Sequence, residues 1–393
     1  MDMSGLLFDN MTTIPNGNVT GNTSIEVTTY KVEDVLYLSE DGRLKAFLEF
    51  QVSWYMDVVY APICSILGIL GNTLSFIVLL SSNMRNTTSY LYMAVLSCTD
   101  TIVLVLNILF MVTKFPGHEI FNRGTCGLIF FLMYFSIHYN VFLMCTMTIE
   151  RYIAIKFPLH APKWITIKKA RVLILVEFIV AFSLDVHSFF TRQIVVDPNT
   201  GVEKCTTPGE TNTFFVTKIW PWVDAVVYCY GPLTCLLVLN VLIIMEVKRA
   251  GRMQRQMTHT GVQEKTAADT RNRERQVTVM LLAVSFTFLI FVTPMAVIIV
   301  VERYFWVQHS AHEQAQYHLV RTICNNMMYT NHALNFVLYC VGGKRFRDQF
   351  FAMFCCKQKQ AAMGRSKMMS NDTSTTNSRV SVVSNENVTI QTK

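Results

Sequence analysis

An all-α membrane protein is what the sequence predicts: a seven-transmembrane helix bundle followed by a short amphipathic membrane-surface helix. Three observations predict it. Charged residues make up 16% of the chain and hydrophobic ones 51%, whereas a soluble domain carries about 25% charged residues. The apolar residues gather in blocks of about twenty or more, the helix length that crosses roughly 30 Å of hydrocarbon. The loops between the blocks differ in charge according to their parity, as expected of a chain that crosses a membrane repeatedly.

The seven blocks cover roughly 53–82, 88–114, 123–155, 168–190, 216–248, 275–304 and 314–341. Backbone groups in lipid must be satisfied within the segment, so each block reads as a helix. The domain layout that follows is a tail over 1–52, the helical region over 53–342, an amphipathic helix over 343–356 and a polar tail over 357–393.

Residues 1–52 are polar and rather acidic, with Glu26, Glu33, Asp34, Glu40, Asp41 and Glu49. They hold three glycosylation sequons, at Asn10, Asn18 and Asn22, which point to an outside location. The opening residues have neither a basic start nor an apolar core, so no cleavable signal peptide is expected and the first membrane helix carries the targeting. Lys and Arg concentrate after the first, third and fifth blocks and after the seventh, for instance at Arg85, Lys168, Lys169, Lys248, Arg249, Lys344 and Arg345. Positive loops stay in the cytoplasm. Sequons and charges therefore agree on a plasma-membrane protein with its N-terminus outside and its C-terminus inside. The net charge of +7 is accounted for by these loops, and nucleic acid is not an expected partner. Most of the eleven cysteines fall inside apolar blocks and read as buried thiols.

After the seventh block, Phe346, Phe350, Phe351 and Phe354 recur at three- and four-residue spacings among basic residues. That pattern gives a helix with one apolar face, suited to the inner leaflet. Cys355 and Cys356 close it as palmitoylation candidates, the alternative being two unmodified thiols. Beyond them the tail is rich in Ser and Thr, from Ser370 to Ser384. It is expected to be disordered, and phosphorylation there would present charge to arrestin.

Polar residues at membrane depth are costly and each asks for a reason. They include Gly71-Asn72, Leu96-Ser-Cys-Thr-Asp100, Glu150-Arg151-Tyr152, Asn331, and Asn335-Phe-Val-Leu-Tyr339. This set, in this order, resembles that of the rhodopsin-like (class A) G protein-coupled receptors over about residues 53–355. The run from Asn331 to Arg347 is similar to that of invertebrate neuropeptide receptors, FMRFamide-receptor-like ones in particular.

The resemblance implies roles. Asp100 is the family's buried carboxylate, with Asn72, Asn140, Asn331 and Asn335 placed to share water or a sodium ion with it. A protonated Asp100 held by amides is the alternative. Arg151 is the switch residue, able to pair with neighbouring Glu150 or with Glu274 at the inner end of the sixth helix. Tyr152 and Tyr339 complete the region that meets a heterotrimeric G protein. A solvated surface role remains the alternative for Glu274. Cys126 and Cys205 match the family's bridging pair, on the oxidising side. Pro232 and Pro294 sit at the expected kinks.

The sequence also departs from the family pattern. Phe178 stands where the fourth helix usually carries Trp. The sixth helix reads Phe291-Val-Thr-Pro294, without the usual Trp, so Phe291 or another residue must transmit the signal in place of Val292. Phe336 replaces a proline after Asn335, and Asn240 stands where many members have Tyr.

No acid stands in the outer part of the third helix, where Met133 occupies the position that pairs amine ligands, and the seventh helix lacks a lysine for retinal. The upper helices instead offer Lys114, Tyr134, Asp185, Trp220, Trp222, Asp224, Glu302 and Arg321. Aromatics with a few charges suit a peptide, and Asp224 or Glu302 would take a cationic side chain of it. Asp185 has helix packing as its alternative role. A lipid or other small ligand would also fit a largely apolar cavity. A transporter is the rival class, but no internal repeat is visible. Enzyme signatures are lacking. His118, His138 and His187 lack metal-ligand spacing and read as packing or loop residues.

Overall fold

A computed structural model describes residues 44–113, 115, 120–196, 203–257, 264–304 and 310–354. Asn10, Asn18, Asn22, Lys114, His118, Cys355, Cys356 and the 357–393 tail lie outside the described residues. Glu274 and Glu302 are described by their backbone alone.

The helices follow in chain order. α1 runs Leu48–Leu79 with a π-helical turn at Met56–Tyr60, α2 Thr88–Val112, α3 Thr125–Lys156 and α4 Ile167–Asp185. α5 starts at Glu210, passes π-helical turns at Phe215–Ile219 and Ala225–Tyr230, and continues as Gly231–Met257. α6 spans Glu264–Tyr304 around Pro294, and α7 is split into Ala311–Ala333 and Asn335–Gly342. Six of the helices are long and apolar enough to cross a membrane. The seventh, α7, is interrupted, and its longer piece, Ala311–Ala333, is long enough but more polar. Between α4 and α5, strands β1 (Gln193–Val196) and β2 (Glu203–Thr206) form an antiparallel hairpin.

Several boundaries move from the apolar blocks, each for a tertiary or local reason. α1 begins at Leu48, before the apolar block, because Leu44 and Phe50 bury against Ala315 of α7. His312 of α7 also reaches Glu49 at 2.9 Å. The start of α7 is set by a capping box: Glu313 N–H donates to Ser310 Oγ and Ser310 N–H to Glu313 Oε2, both at 3.2 Å. α6 extends to Glu264, well before its apolar block, through residues whose charges lie beyond the hydrophobic stretch. Upstream of Pro232 the chain takes a π-helical turn, the usual accommodation where a helix ladder loses a donor.

α3 is the most enclosed helix, buried along most of its length, whereas α4 exposes most of its apolar surface. That contrast suits a bundle solvated by lipid, where an outer helix needs no polar face. The expected disulfide is present: Cys126 at the start of α3 bonds Cys205 of β2, with the Cα atoms 5.7 Å apart. It ties the hairpin to one end of the bundle, and Arg192 beside the hairpin lies 4.4 Å over the Phe130 ring.

α1 reaches the break in α7 through two small residues. A Cβ added at Gly68 would sit 2.6 Å from both Ala333 Cβ and Leu104 Cδ1, and one at Gly71 would sit 2.9 Å from Phe336 Cβ. Small residues let membrane helices approach backbone to backbone. The break itself occurs without the family's proline. Asn72 of α1 donates its Nδ2–H to the carbonyl of His332 at 3.0 Å, a hydrogen bond to the helix backbone just before the break.

A second compact unit begins at Arg345. Its described part, residues 345–354, is all but the first residue of α8 (Lys344–Phe354), where Phe350 packs on Phe351 and Phe354 at centroid distances of 5.6 and 5.1 Å. These contacts gather the phenylalanines on one face.

Gly68→Val should push α1 off α7. Overpacking of this kind costs about 1–3 kcal/mol. The thermal midpoint of the purified protein should fall and its surface expression drop, while Gly124→Ala, where an added Cβ would meet only Asn122 Oδ1 at an ordinary 3.4 Å, should leave both unchanged.

Candidate functional site

In the half of the bundle that carries the disulfide, α3, α4 and α5 meet around one imidazole. His138 of α3 is fully buried. Its Nδ1 lies 3.0 and 3.1 Å from the two carboxylate oxygens of Asp185 on α4. Its Nε2 lies 3.2 Å from Asp224 Oδ1 on α5. The second pair is within ion-pair range but off the hydrogen-bond line, so both atoms keep unused bonding capacity. A ring with a carboxylate against each nitrogen is best satisfied as the doubly protonated imidazolium, a donor at both nitrogens. Two acids thus face one imidazole, and with both ionised their charge exceeds the one it can carry.

Aromatic rings close around this cluster. Tyr134, one turn before His138 on α3, stacks toward it at 6.3 Å and meets Trp220 edge-on at 5.7 Å. Trp220 also contacts His187 at 3.9 Å. Trp220 and Asp224 are four residues apart on α5 and so share a face. Trp222, expected in the same cavity, is 46% exposed, while Trp220 is 2% exposed. The correction is geometric: two residues apart on a helix point to nearly opposite sides. Trp220 Nε1, His187 Nε2 and Tyr228 Oη are buried without a hydrogen-bond partner among the described residues. Buried donors left unmade cost about 1–3 kcal/mol each, so polar groups gathered here are suited to meeting another molecule.

Sequence reasoning read His138 as a packing or loop residue, and the structure places it, buried, between acids of two neighbouring helices. The available signal was position: an intramembrane histidine seven residues after Phe131, on the same helix as Met133 and Tyr134, in a chain with acids on the two neighbouring helices. Met133 is buried as well. Arg321, on α7, donates to Tyr317 Oη at 2.9 Å.

A chain of rings leads from this cluster to α6. His138 meets Tyr228 edge-on at 6.4 Å, and Tyr228 meets Phe288 of α6 edge-on at 6.4 Å. Phe288 is 2% exposed and Val292, one turn on, is fully buried. Phe291, the first choice from sequence to stand in for the missing Trp, is only partly buried. Phe288 is the ring that the packing places in contact.

Below lies the second cluster, on Asp100 of α2. Asp100 Oδ1 accepts hydrogen bonds from Asn140 Nδ2 at 2.8 Å and from His332 Nδ1 at 2.7 Å. Oδ2 accepts from Asn335 Nδ2 at 2.5 Å. Thr99 Oγ1 touches Asn140 Oδ1. Asn140 and Asn335 thus turn to the carboxylate as expected. Asn72 goes to the His332 backbone instead, and Asn331, though buried, gives Asp100 no hydrogen bond. The residue that sequence reasoning missed is His332, hidden next to Asn331 in a run read for its asparagines.

At the opposite end of the bundle, Arg151 donates to Ser89 Oγ on α2. Glu150, expected to pair with Arg151, accepts from Thr88 Oγ1 at 2.7 Å and Tyr92 Oη at 3.0 Å. Two hydroxyls from α2 therefore hold this carboxylate. Tyr152 is partly buried and Tyr339 fully so. Lys156 at the end of α3 pairs with Glu246 of α5, a tie that the sequence did not suggest. Asn240 of α5 is fully buried with neither amide atom hydrogen-bonded among the described residues.

Comparison with known proteins bears on this arrangement. Residues 71–339 match the model of the 7 transmembrane receptor (rhodopsin family). A probable G-protein coupled receptor of Caenorhabditis elegans is 23% identical over 75% of this chain and 68% of its own length. The FMRFamide receptor of Drosophila melanogaster is 23% identical over 77% of this chain, which spans 54% of that receptor. The thyrotropin-releasing hormone receptor of Bos taurus is 28% identical over 81% of each chain. With that match over most of the helical region, the seven-helix bundle and its buried Asp100 and Arg151 are those of a multi-pass plasma-membrane receptor: the chain belongs to the rhodopsin family of seven-transmembrane receptors.

Proposed function

We propose that the chain is a receptor for an extracellular peptide with a basic group, and that it passes the signal to a heterotrimeric G protein. In this reading the disulfide end faces outward, with the glycosylated tail, and the Arg151 end and the C-terminus face the cytoplasm. The observation that carries it is the His138–Asp185–Asp224 cluster under aromatic rings. Its two acids set against one imidazole and the spare acceptor capacity of Asp224 suit a guanidinium or ammonium. Two relatives are named as receptors for peptides, FMRFamide and thyrotropin-releasing hormone, which supports a peptide in preference to a lipid.

A cation seated at Asp224 would compete with His138 for the carboxylate. Any shift of His138 or Trp220 loads Tyr228 and, through it, Phe288 on α6. Tightly packed rings respond by moving as bodies rather than by deforming. α6 then swings at Pro294, and the end of the bundle where Arg151 meets Ser89 of α2 and Lys156 meets Glu246 of α5 opens to a G protein helix. Those ties are partly exposed or between neutral and charged groups, so they bias a two-state element without locking it. Glu274 remains the proposed second partner of Arg151. The phosphorylated tail would engage arrestin, and Cys355 and Cys356 would anchor α8 to lipid.

The test is a screen of amidated peptides on cells expressing the chain, read as calcium release through a promiscuous G protein. Asp224→Asn should raise the half-maximal concentration about 10–150-fold at equal surface expression, the loss of one charged hydrogen bond of about 1.5–3 kcal/mol. Unchanged potency removes Asp224 from the site. Silence of every peptide from a receptor present at the surface turns the reading to a lipid or other small ligand. Arg151→Ala should abolish signalling with peptide binding retained. Phe288→Ala should keep binding within about tenfold, since it touches no ligand, and lower the maximal response; a full response would break the ring relay.

A further inference from the structure

The family resemblance leads one to expect a sodium ion at Asp100, and the donor set does not fit one. An ionised carboxylate offers about four acceptor positions. Three are taken, by Asn140 Nδ2 at 2.8 Å, His332 Nδ1 at 2.7 Å and Asn335 Nδ2 at 2.5 Å. All three partners are nitrogens that carry hydrogen. A hard cation takes oxygen ligands, and an N–H turned toward the carboxylate presents the positive end of its dipole where the ion would sit. Of the other two side chains expected to share the ion, Asn72 turns its Nδ2–H to the His332 carbonyl at 3.0 Å, its Oδ1 making no hydrogen bond among the described residues, and Asn331 makes no hydrogen bond to Asp100.

The imidazole is also held in place rather than passing through. Its side chain is 4% exposed, its Nδ1 lies 2.7 Å from Asp100 Oδ1, and Asn72 anchors its backbone. We infer that His332 fills the site of the exchangeable cation, so that α2 and α7 are joined by a tethered side chain and the receptor is indifferent to sodium. An exchangeable ion stabilises the state that binds it according to its concentration. A side chain covalently part of α7 has no such concentration dependence.

The inference does not rest on the identity of the ligand and needs none for its test. The probe is sodium itself. Thermal unfolding of the purified full-length chain is followed in sodium chloride, potassium chloride and choline chloride at about 0.15 M, where screening is equal. The midpoint of the parent should be the same in all three salts. His332→Ser removes the ring and offers an oxygen, and its midpoint should be higher in sodium than in potassium or choline by about 5 °C, the shift expected of an ion well above its dissociation constant. A parent stabilised selectively by sodium overturns the inference, and this arm needs no variant to fold. A folded His332→Ser chain as indifferent to sodium as the parent overturns it too, since His332 would then not be what keeps the ion out. Should the serine variant not fold, His332→Asn, which keeps one donor, is read in the same way.

Discussion

A carboxylate placed in the middle of a membrane has to be answered by its neighbours, and much of the helix arrangement is organised around the answer given to Asp100. The residue is 1% exposed. Its three donors come from α3 and from both pieces of α7. To bring those donors within reach, α7 is interrupted between Ala333 and Asn335, and α1 must come close enough for Asn72 to bond the carbonyl of His332. Gly68 and Gly71 make that approach sterically possible. Asp100 thus joins α2 to α3 and α7, and Asn72 adds α1 through the His332 carbonyl. They do so with directional hydrogen bonds, because apolar packing alone does not discriminate between helix and lipid.

The two ends of the bundle use the same physics for different ends. At the disulfide end, His138 joins α3, α4 and α5 through two acids, one of which is incompletely satisfied. At the other end, hydroxyls of α2 hold Glu150, Ser89 takes Arg151, and Lys156 reaches Glu246. The first cluster is enclosed and sets two acids against one imidazole, which suits recognition. The second is a set of modest ties between helices, with Asn240 buried beside no partner among the described residues. An unsatisfied amide is a cost carried by this arrangement and relieved in one that offers it a partner. The aromatic chain from His138 through Tyr228 to Phe288 connects the first cluster to α6.

The positions where the chain departs from the family pattern become intelligible on these terms. The missing Trp of α6 leaves Val292 fully buried, and the ring contact with α5 is made one turn away by Phe288. Phe336 in place of proline does not restore a continuous helix, since Asn72 bonds the backbone at that point. Phe178 in place of the α4 Trp meets Phe135 edge-on at 5.1 Å and Tyr139 at 5.8 Å, keeping an aromatic seam between α3 and α4. In each case the interaction survives a change of residue because a neighbouring ring or amide supplies the same geometry.

Membrane insertion, the number of helices, their approximate limits and the Cys126–Cys205 pairing were legible in the chain. Hydrophobic run length is a local property, and the pairing came with the motif set. The acids and aromatics of the upper cluster were legible as candidates, but the sequence could not separate Trp220 from Trp222, because only packing decides which helix face turns inward. Nor could it show that His138 joins Asp185 to Asp224, or that His332 rather than Asn72 and Asn331 answers Asp100. His332 and Asp100 are 232 positions apart, and no local pattern links them. Sequence determined which segments enter the membrane, since that depends on each segment's own transfer energy. The tertiary structure decided which buried polar groups meet, since a charge in lipid is satisfied by whichever donors the packing of other helices brings to it.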